Sequence, residues 1–233
     1  SAAIYGSRAA NGVILITTKT GIKGNAKISL NAYAGVTSLT KRIESLNVAQ
    51  YRELLDDMGS TTALPATLTD KTDWYDETFQ SALTQNYQLS ISNATDKINY
   101  YLSAGYTGEQ GIIKVAFFER FNFRTNVENQ IRPWLKIGAN VSYSDYKNNG
   151  IVSGLGANRA GVVLSVINAP TYAPIWDENN PGQYYDNFYG VNITSPVENM
   201  SRTADNKSIN NRLVSTGSAE ITFLPKLKIR SSI

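Results

Sequence analysis

Long stretches of this chain alternate strictly between apolar and polar residues, and no other feature narrows the possible folds so far. From Lys27, the apolar residues Ile28, Leu30, Ala32, Ala34 and Val36 interleave with Ser29, Asn31 and Tyr33. The pattern returns with Tyr87, Leu89 and Ile91 against Gln88, Ser90 and Ser92, and with Ile98, Tyr100, Leu102, Ala104 and Tyr106 against Asn99, Tyr101, Ser103 and Gly105. It recurs in Phe121, Phe123 and Val127 against Asn122, Arg124 and Asn126. Further on, Leu135, Ile137, Ala139, Val141 and Tyr143 oppose Lys136, Asn140, Ser142 and Ser144. A frayed sixth instance spans 209–223, and Leu227, Ile229 and Ile233 oppose Lys228, Arg230 and Ser232 in a seventh. A period of two sends successive side chains to opposite faces of a strand. The chain therefore predicts about seven two-faced strands, most near the ~9–11 residues that cross a bilayer at a tilt.

The connections alternate as well. Asn93-Ala94-Thr95-Asp96, Ile131-Arg132-Pro133 and Leu224-Pro225-Lys226 read as short turns. Between them lie a long connection over about 38–84, a moderate one over about 108–118 and a very long one over about 147–208. Short turns at one rim and long loops at the other are the plan of an outer-membrane barrel, and a compact soluble domain seldom holds two such loops. One helix is predicted, with Asn47 as its cap and Val48, Tyr51, Leu54, Leu55 and Met58 on one stripe up to Gly59. Its stripe suggests packing of one face on the barrel.

Composition excludes much chemistry. The 233 residues contain no Cys and no His, which removes disulfides, Cys/His zinc sites and histidine-based catalysis. Charged residues are only 18%, below the roughly one quarter of ordinary domains; Asn, Ser, Thr, Gly and fourteen Tyr fill the gap, as suits a watery lumen and half-wet rings. A net charge of +3 with scattered basic residues gives no case for nucleic acid. No apolar run approaches the ~18 residues of a transmembrane helix. The opening SAAIYGS, without an initiator Met, reads as the start of an internal fragment.

Several motifs admit a sharper reading than their context supports. Tyr5-Gly6-Ser7-Arg8 followed by Asn11-Gly12 lacks the Lys-Ser/Thr of a phosphate loop and precedes a strand rather than a helix. The unalternating run from Gly12 to Lys19 is instead predicted as a strand buried on both faces. Asp177-Glu178-Asn179-Asn180-Pro181-Gly182 resembles a calcium loop, yet Pro181 stands where Asp or Asn is needed, so a turn is expected. Asp56-Asp57 and Asp76-Glu77 lack the surroundings of a glycosidase pair. Trp176, Asp177, Glu178, Tyr184, Tyr185, Phe188 and Tyr189 combine rings with carboxylates. They fit cargo stacking, docking of a lid protein, or a loop folded on its own rings.

The segment Ala2-Ala3-Ile4-Tyr5-Gly6-Ser7-Arg8, through Asn11-Gly12 to Lys19, resembles the end of the plug domain in SusC/RagA-type TonB-dependent transporters. Asp73-Trp74-Tyr75-Asp76 with Ala82–Tyr87 resembles the start of the second barrel strand in that family, and Tyr100–Tyr106 with Gly111–Lys114 the next hairpin. The likeness is weakest over about 150–205. It implies a 22-stranded parent barrel closed by an internal plug, a SusD-like surface lipoprotein as lid, and energy from TonB through a segment outside this sequence. It also implies a glycan or peptide as cargo, and no enzyme activity or cofactor.

The resulting expectation is an all-β, transmembrane antiparallel β-barrel fragment in the bacterial outer membrane, with one short loop helix. Residues 1–24 would end the plug and 25–233 would begin the barrel. Leu89, Ile98, Tyr100, Leu102, Leu135, Ile137, Val141 and Ile229 would face outer-membrane lipid. Gln88, Asn99, Ser103, Asn122, Arg124, Lys136, Asn140 and Arg230 would face the lumen. A passive porin or adhesin barrel, or a soluble glycan-binding module, is the alternative; the buried strand ahead of the barrel disfavours the first and strand length the second.

Overall fold

The computed structural model describes residues 18–150, 161–189, 193–224 and 227–233. Seven antiparallel strands form one sheet in chain order, each paired with its sequence neighbours. They are β1 (Lys27–Thr37), β2 (Ala82–Ala94), β3 (Ile98–Gln110), β4 (Phe117–Arg132), β5 (Leu135–Asn149), β6 (Lys207–Leu224) and β7 (Leu227–Ser232). The chain is thus all-β in its framework, and the sheet is open, with β1 and β7 at its edges. Strands β1 to β6 run for 11 to 18 residues, well beyond the usual five or six.

The register turns local alternation into two continuous faces. One row runs Leu30, Leu89, Ala104, Phe123, Tyr143, Leu213; the adjacent row runs Asn31, Gln88, Gly105, Asn122, Ser144, Arg212. A slip of one residue between any two strands would mix these rows. All eight residues of the predicted apolar set share the first face, and all eight of the predicted polar set share the other.

Short connections cluster at one end of the sheet. Residues 95–97 join β2 to β3, and Pro133-Trp134 joins β4 to β5 across a register shift between Gln130 and Arg132. Proline cannot donate to the ladder, so the strand ends there. At the opposite end, residues 38–81, 111–116 and 150–206 make the other connections. The middle one is shorter than the predicted 108–118 because the β3–β4 ladder continues to Gln110↔Phe117.

Four helices occur among the described residues, where the sequence predicted one. The predicted helix is α1 (Val48–Asp57), held by a capping box in which Asn47 and Gln50 satisfy each other's backbone N–H groups. The others are α2 (Trp74–Thr78), α3 (Val162–Asn168) and α4 (Pro196–Ala204). Helix α1 does not lie on the sheet: Val48 is buried against the other long loop, and the Tyr51 ring meets Tyr172 at 5.9 Å. The two long loops therefore bury each other's apolar side chains and form a subdomain at the long-loop end.

Ahead of β1, the chain crosses the polar face and pins itself to the short-turn end. Gly21 donates its N–H to Asn99 Oδ1 at 2.6 Å, and Asn99 Nδ2 donates back to the Gly21 carbonyl at 3.2 Å. A Cβ at Gly21 would collide with the Asn93 carbonyl oxygen, so only glycine fits this approach. Lys23 pairs with Asp96 in the β2–β3 turn, and that cation holds the Asp96 carboxyl below its usual range. Of the predicted buried strand Gly12–Lys19, only Thr18 and Lys19 are described, and they carry no regular structure. The motif Tyr5, Gly6, Ser7, Arg8, Asn11 and Gly12 lies outside the described residues.

Candidate functional site

The subdomain at the long-loop end is built around Trp74, which is 2% exposed. Asp73 caps α2 by accepting from the N–H groups of Tyr75 and Asp76, which fixes the ring. The indole Nε1 donates to the Pro170 carbonyl at 2.9 Å, and Val166, Ala169, Tyr172, Ala173 and Phe188 complete the cluster. Polar bonds stitch the same seam: the N–H groups of Lys71 and Thr72 both donate to the Thr171 carbonyl, at 2.8 and 3.0 Å. Asp70 accepts from the Val48 N–H and the Thr171 hydroxyl.

The seven candidate residues of the aromatic segment separate into two groups. Phe188 is buried, and Tyr185 and Tyr189 pack against the cluster. The Tyr172 hydroxyl donates to the Phe188 carbonyl at 2.9 Å, and Tyr189 sits at φ 45°, a region unusual for a bulky residue, with its ring edge-on to Tyr172 at 5.7 Å. Burial pushes the Tyr172 phenol upward, and burial followed by Tyr189 pushes Tyr185 up to about 12. These rings are structural anchors of the loop.

Trp176 and Tyr184, with Asp177 and Glu178 between them, form the second group. The two rings stack at 4.5 Å and 20° across an isolated antiparallel bridge, and Trp176 remains 50% exposed. Between them the chain turns tightly: Asp177 accepts from the Asn179 N–H at 2.8 Å and from Asn180 Nδ2 at 2.6 Å. Those bonds, with the Asn180 side chain foremost, hold its carboxyl below the usual range. The Asp177 oxygens are thus engaged inside a turn, as the sequence predicted. Glu178 reaches Lys71 on the other loop at 3.0 Å, an exposed pair of small energetic weight. The stacked rings present a flat apolar surface with hydrogen-bonding neighbours, suited to a sugar ring or a partner side chain.

On the sheet, Asn99, Arg124, Asn140 and Arg230 all belong to the polar face. Asn99 is occupied by Gly21. Arg230 stands opposite Glu220, which pairs with Lys228 at 3.2 Å, and Lys136 pairs with Glu128 at 2.7 Å. Arg124 lines a cavity of about 610 Å³ between the polar face and Thr18-Lys19. Two further cations, Lys19 and Arg120, line the same cavity; Arg120 shares the even-numbered parity of Asn122 and Arg124 in β4, so the period of two marks it for the polar face as well.

The chain is 32% identical over 244 residues to TonB-dependent receptor P26 of Formosa agariphila, covering 100% of this chain and 23% of that protein. It is 30% identical over 254 residues to TonB-dependent receptor SusC of Bacteroides thetaiotaomicron, covering 99% of this chain and 25% of that protein. It therefore spans about a quarter of the length of the curated relatives it matches. No protein-family model matches the chain. Among solved structures, the RagAB peptide importer in its closed-closed state aligns with TM-score 0.70 at 22% identity, over 98% of this chain and 30% of that one. Its open-open state aligns with TM-score 0.67 at 23% identity.

Proposed function

Because this chain belongs to the SusC/RagA-type TonB-dependent receptors, we propose that its sheet is part of the barrel wall of an energised nutrient importer in the bacterial outer membrane. Residues 1–24 end the plug, and residues 25–233 begin a 22-stranded barrel whose further strands cover the open edges of β1 and β7. An uncovered edge is untenable in lipid. The apolar face meets lipid and the polar face lines the lumen.

The observation that carries this reading is the width of the apolar face. Leu30, Leu213 and Ile229 are 68%, 66% and 55% exposed on it, and a continuous apolar surface of this extent is not stable in water. From Ile98 to Tyr106 the face extends about 26 Å along the strand at ~3.3 Å per residue, which at a barrel tilt of ~35–45° covers about 20 Å of an apolar band ~25 Å tall. Tyr87, Tyr106 and Phe121 stand side by side at its upper margin, with ring separations of 6.4 and 4.8 Å, as an interfacial aromatic girdle does. Glu119, Asp145 and Lys147 follow at or above that level.

The long-loop end then faces outward. The exposed Trp176–Tyr184 stack meets either a SusD-like lipoprotein lid or a glycan or peptide cargo, while TonB supplies the energy from the periplasmic side. The chain itself performs no chemistry.

Fractionation of cells expressing the full-length receptor tests the placement. It is expected in the outer membrane and released only by detergent; a monodisperse protein without detergent would refute the reading. Trp176→Ala with Tyr184→Ala tests the binding role without disturbing the buried cluster. Uptake or lid retention should fall by on the order of tenfold or more, as for a central aromatic anchor. Wild-type values for both would deny the stack a binding role.

A further inference from the structure

Two cavities flank the lead-in segment on the polar face, and their charge differs. The one toward the short-turn end, about 400 Å³, is lined by Glu128 and Arg230 together with uncharged residues, and its surroundings hold the Lys136–Glu128 and Lys228–Glu220 pairs. The other, about 610 Å³, is lined by Lys19, Arg120 and Arg124 with Gln88, Asn122 and several hydroxyl groups, and by no carboxylate. Among the described residues, none of the three cations lies in a salt bridge. Arg212 adds a fourth positive charge on the same face, in the row of Asn122 and Ser144. The stretch of this chain that precedes and includes β1 offers nothing to neutralise them: residues 1–43 contain Arg8, Lys19, Lys23, Lys27, Lys41 and Arg42 and no Asp or Glu.

Three cations around one space raise the local concentration of anions, and arginine prefers carboxylates, which it grips with two parallel hydrogen bonds. We propose that this cavity is a lumenal site for carboxylate groups of the transported solute, with Arg120 and Arg124 as the gripping side chains and Lys19 as the opposing charge. The proposal rests on the importer reading above. It favours acidic over neutral cargo, whether the carboxylate belongs to an acidic peptide or to a uronic-acid oligosaccharide.

Binding of fluorescent probes to the purified full-length receptor tests it, using hexaglutamate, hexaglutamine, a galacturonic-acid hexamer and a neutral glucose hexamer. Wild type should bind at least one acidic probe about tenfold or more tightly than its neutral counterpart, with the preference shrinking at high salt. Binding of only one acidic probe supports the site and identifies the source of the carboxylate. Arg120→Gln with Arg124→Gln should abolish the preference, and Arg124→Lys, which keeps the charge but not the paired hydrogen bonds, should retain only part of it. Glu128→Gln with Lys136→Gln, at the neutral cavity, should leave it intact. Equal binding of acidic and neutral probes by wild type would overturn the proposal. So would an Arg120→Gln/Arg124→Gln protein that keeps the preference, or one that only loses thermal stability, which would assign these arginines to carboxylates of the plug. Detergent dependence of the same preparation, measured separately, tells failure of this site from failure of the importer reading.

Discussion

Tyr172 and Tyr185 hold their phenol protons above the ordinary tyrosine range because their surroundings disfavour the phenolate. In the unfolded chain these groups ionise near pH 10. The folded loops keep the protons longer, so their stability is complete below about pH 10 and falls as pH rises through about 12. A difference absorbance titration of wild type against Tyr185→Phe should place that tyrosine near 12; ionisation near the ordinary value of about 10 would mean that the ring is solvated. Nearby, Trp74→Ala should cost the subdomain about 3–5 kcal/mol, read as early protease cleavage in the two long loops with the wall intact. Cleavage no faster than wild type would deny Trp74 its central place. The importance of Trp74 and Tyr172 was not legible in the sequence, since Trp74 meets its Pro170 partner across 96 positions of chain and no local period marks either ring.

Strands were the legible elements. Their period of two is set by the chain itself, and the register adds only the alignment of rows that each strand already specifies. Helix α1 was equally plain, because Asn47 and Gln50 write its cap locally. The remaining helices are short, at 5, 7 and 9 residues. Helix α3 in particular reads as a short apolar run broken only by Ser165, which periodicity cannot assign. Ser195-Pro196 before Glu198 was a usable start signal for α4. What the sequence could not reveal is that α1 packs on a second loop rather than on the wall, which depends on tertiary pairing alone. The element-scale test is on β5, where Ile137 and Asn140 occupy opposite faces. Ile137→Arg should cost ~2–4 kcal/mol of assembly if it meets lipid, and Asn140→Arg much less. The reverse order, read by resistance of the folded full-length receptor to denaturant, would invert the faces.

At the scale of the whole molecule, a sheet with lipid on one face and a lumen on the other puts all short turns on one side of the membrane and all long loops on the other. On the proposed placement, the paired loops 38–81 and 150–206 stand outside the cell, and the β2–β3 turn stands in the periplasm. Because the 233 residues hold no Cys, single replacements give this segment an unambiguous label. Asn179→Cys in the exposed turn and Lys97→Cys in the short turn, each in the full-length receptor, should be treated with a membrane-impermeant thiol reagent in whole cells. The thiol of the Asn179→Cys receptor should label in intact cells, and that of the Lys97→Cys receptor only after the outer membrane is opened; the opposite pattern, or equal labelling of both in intact cells, would contradict this placement.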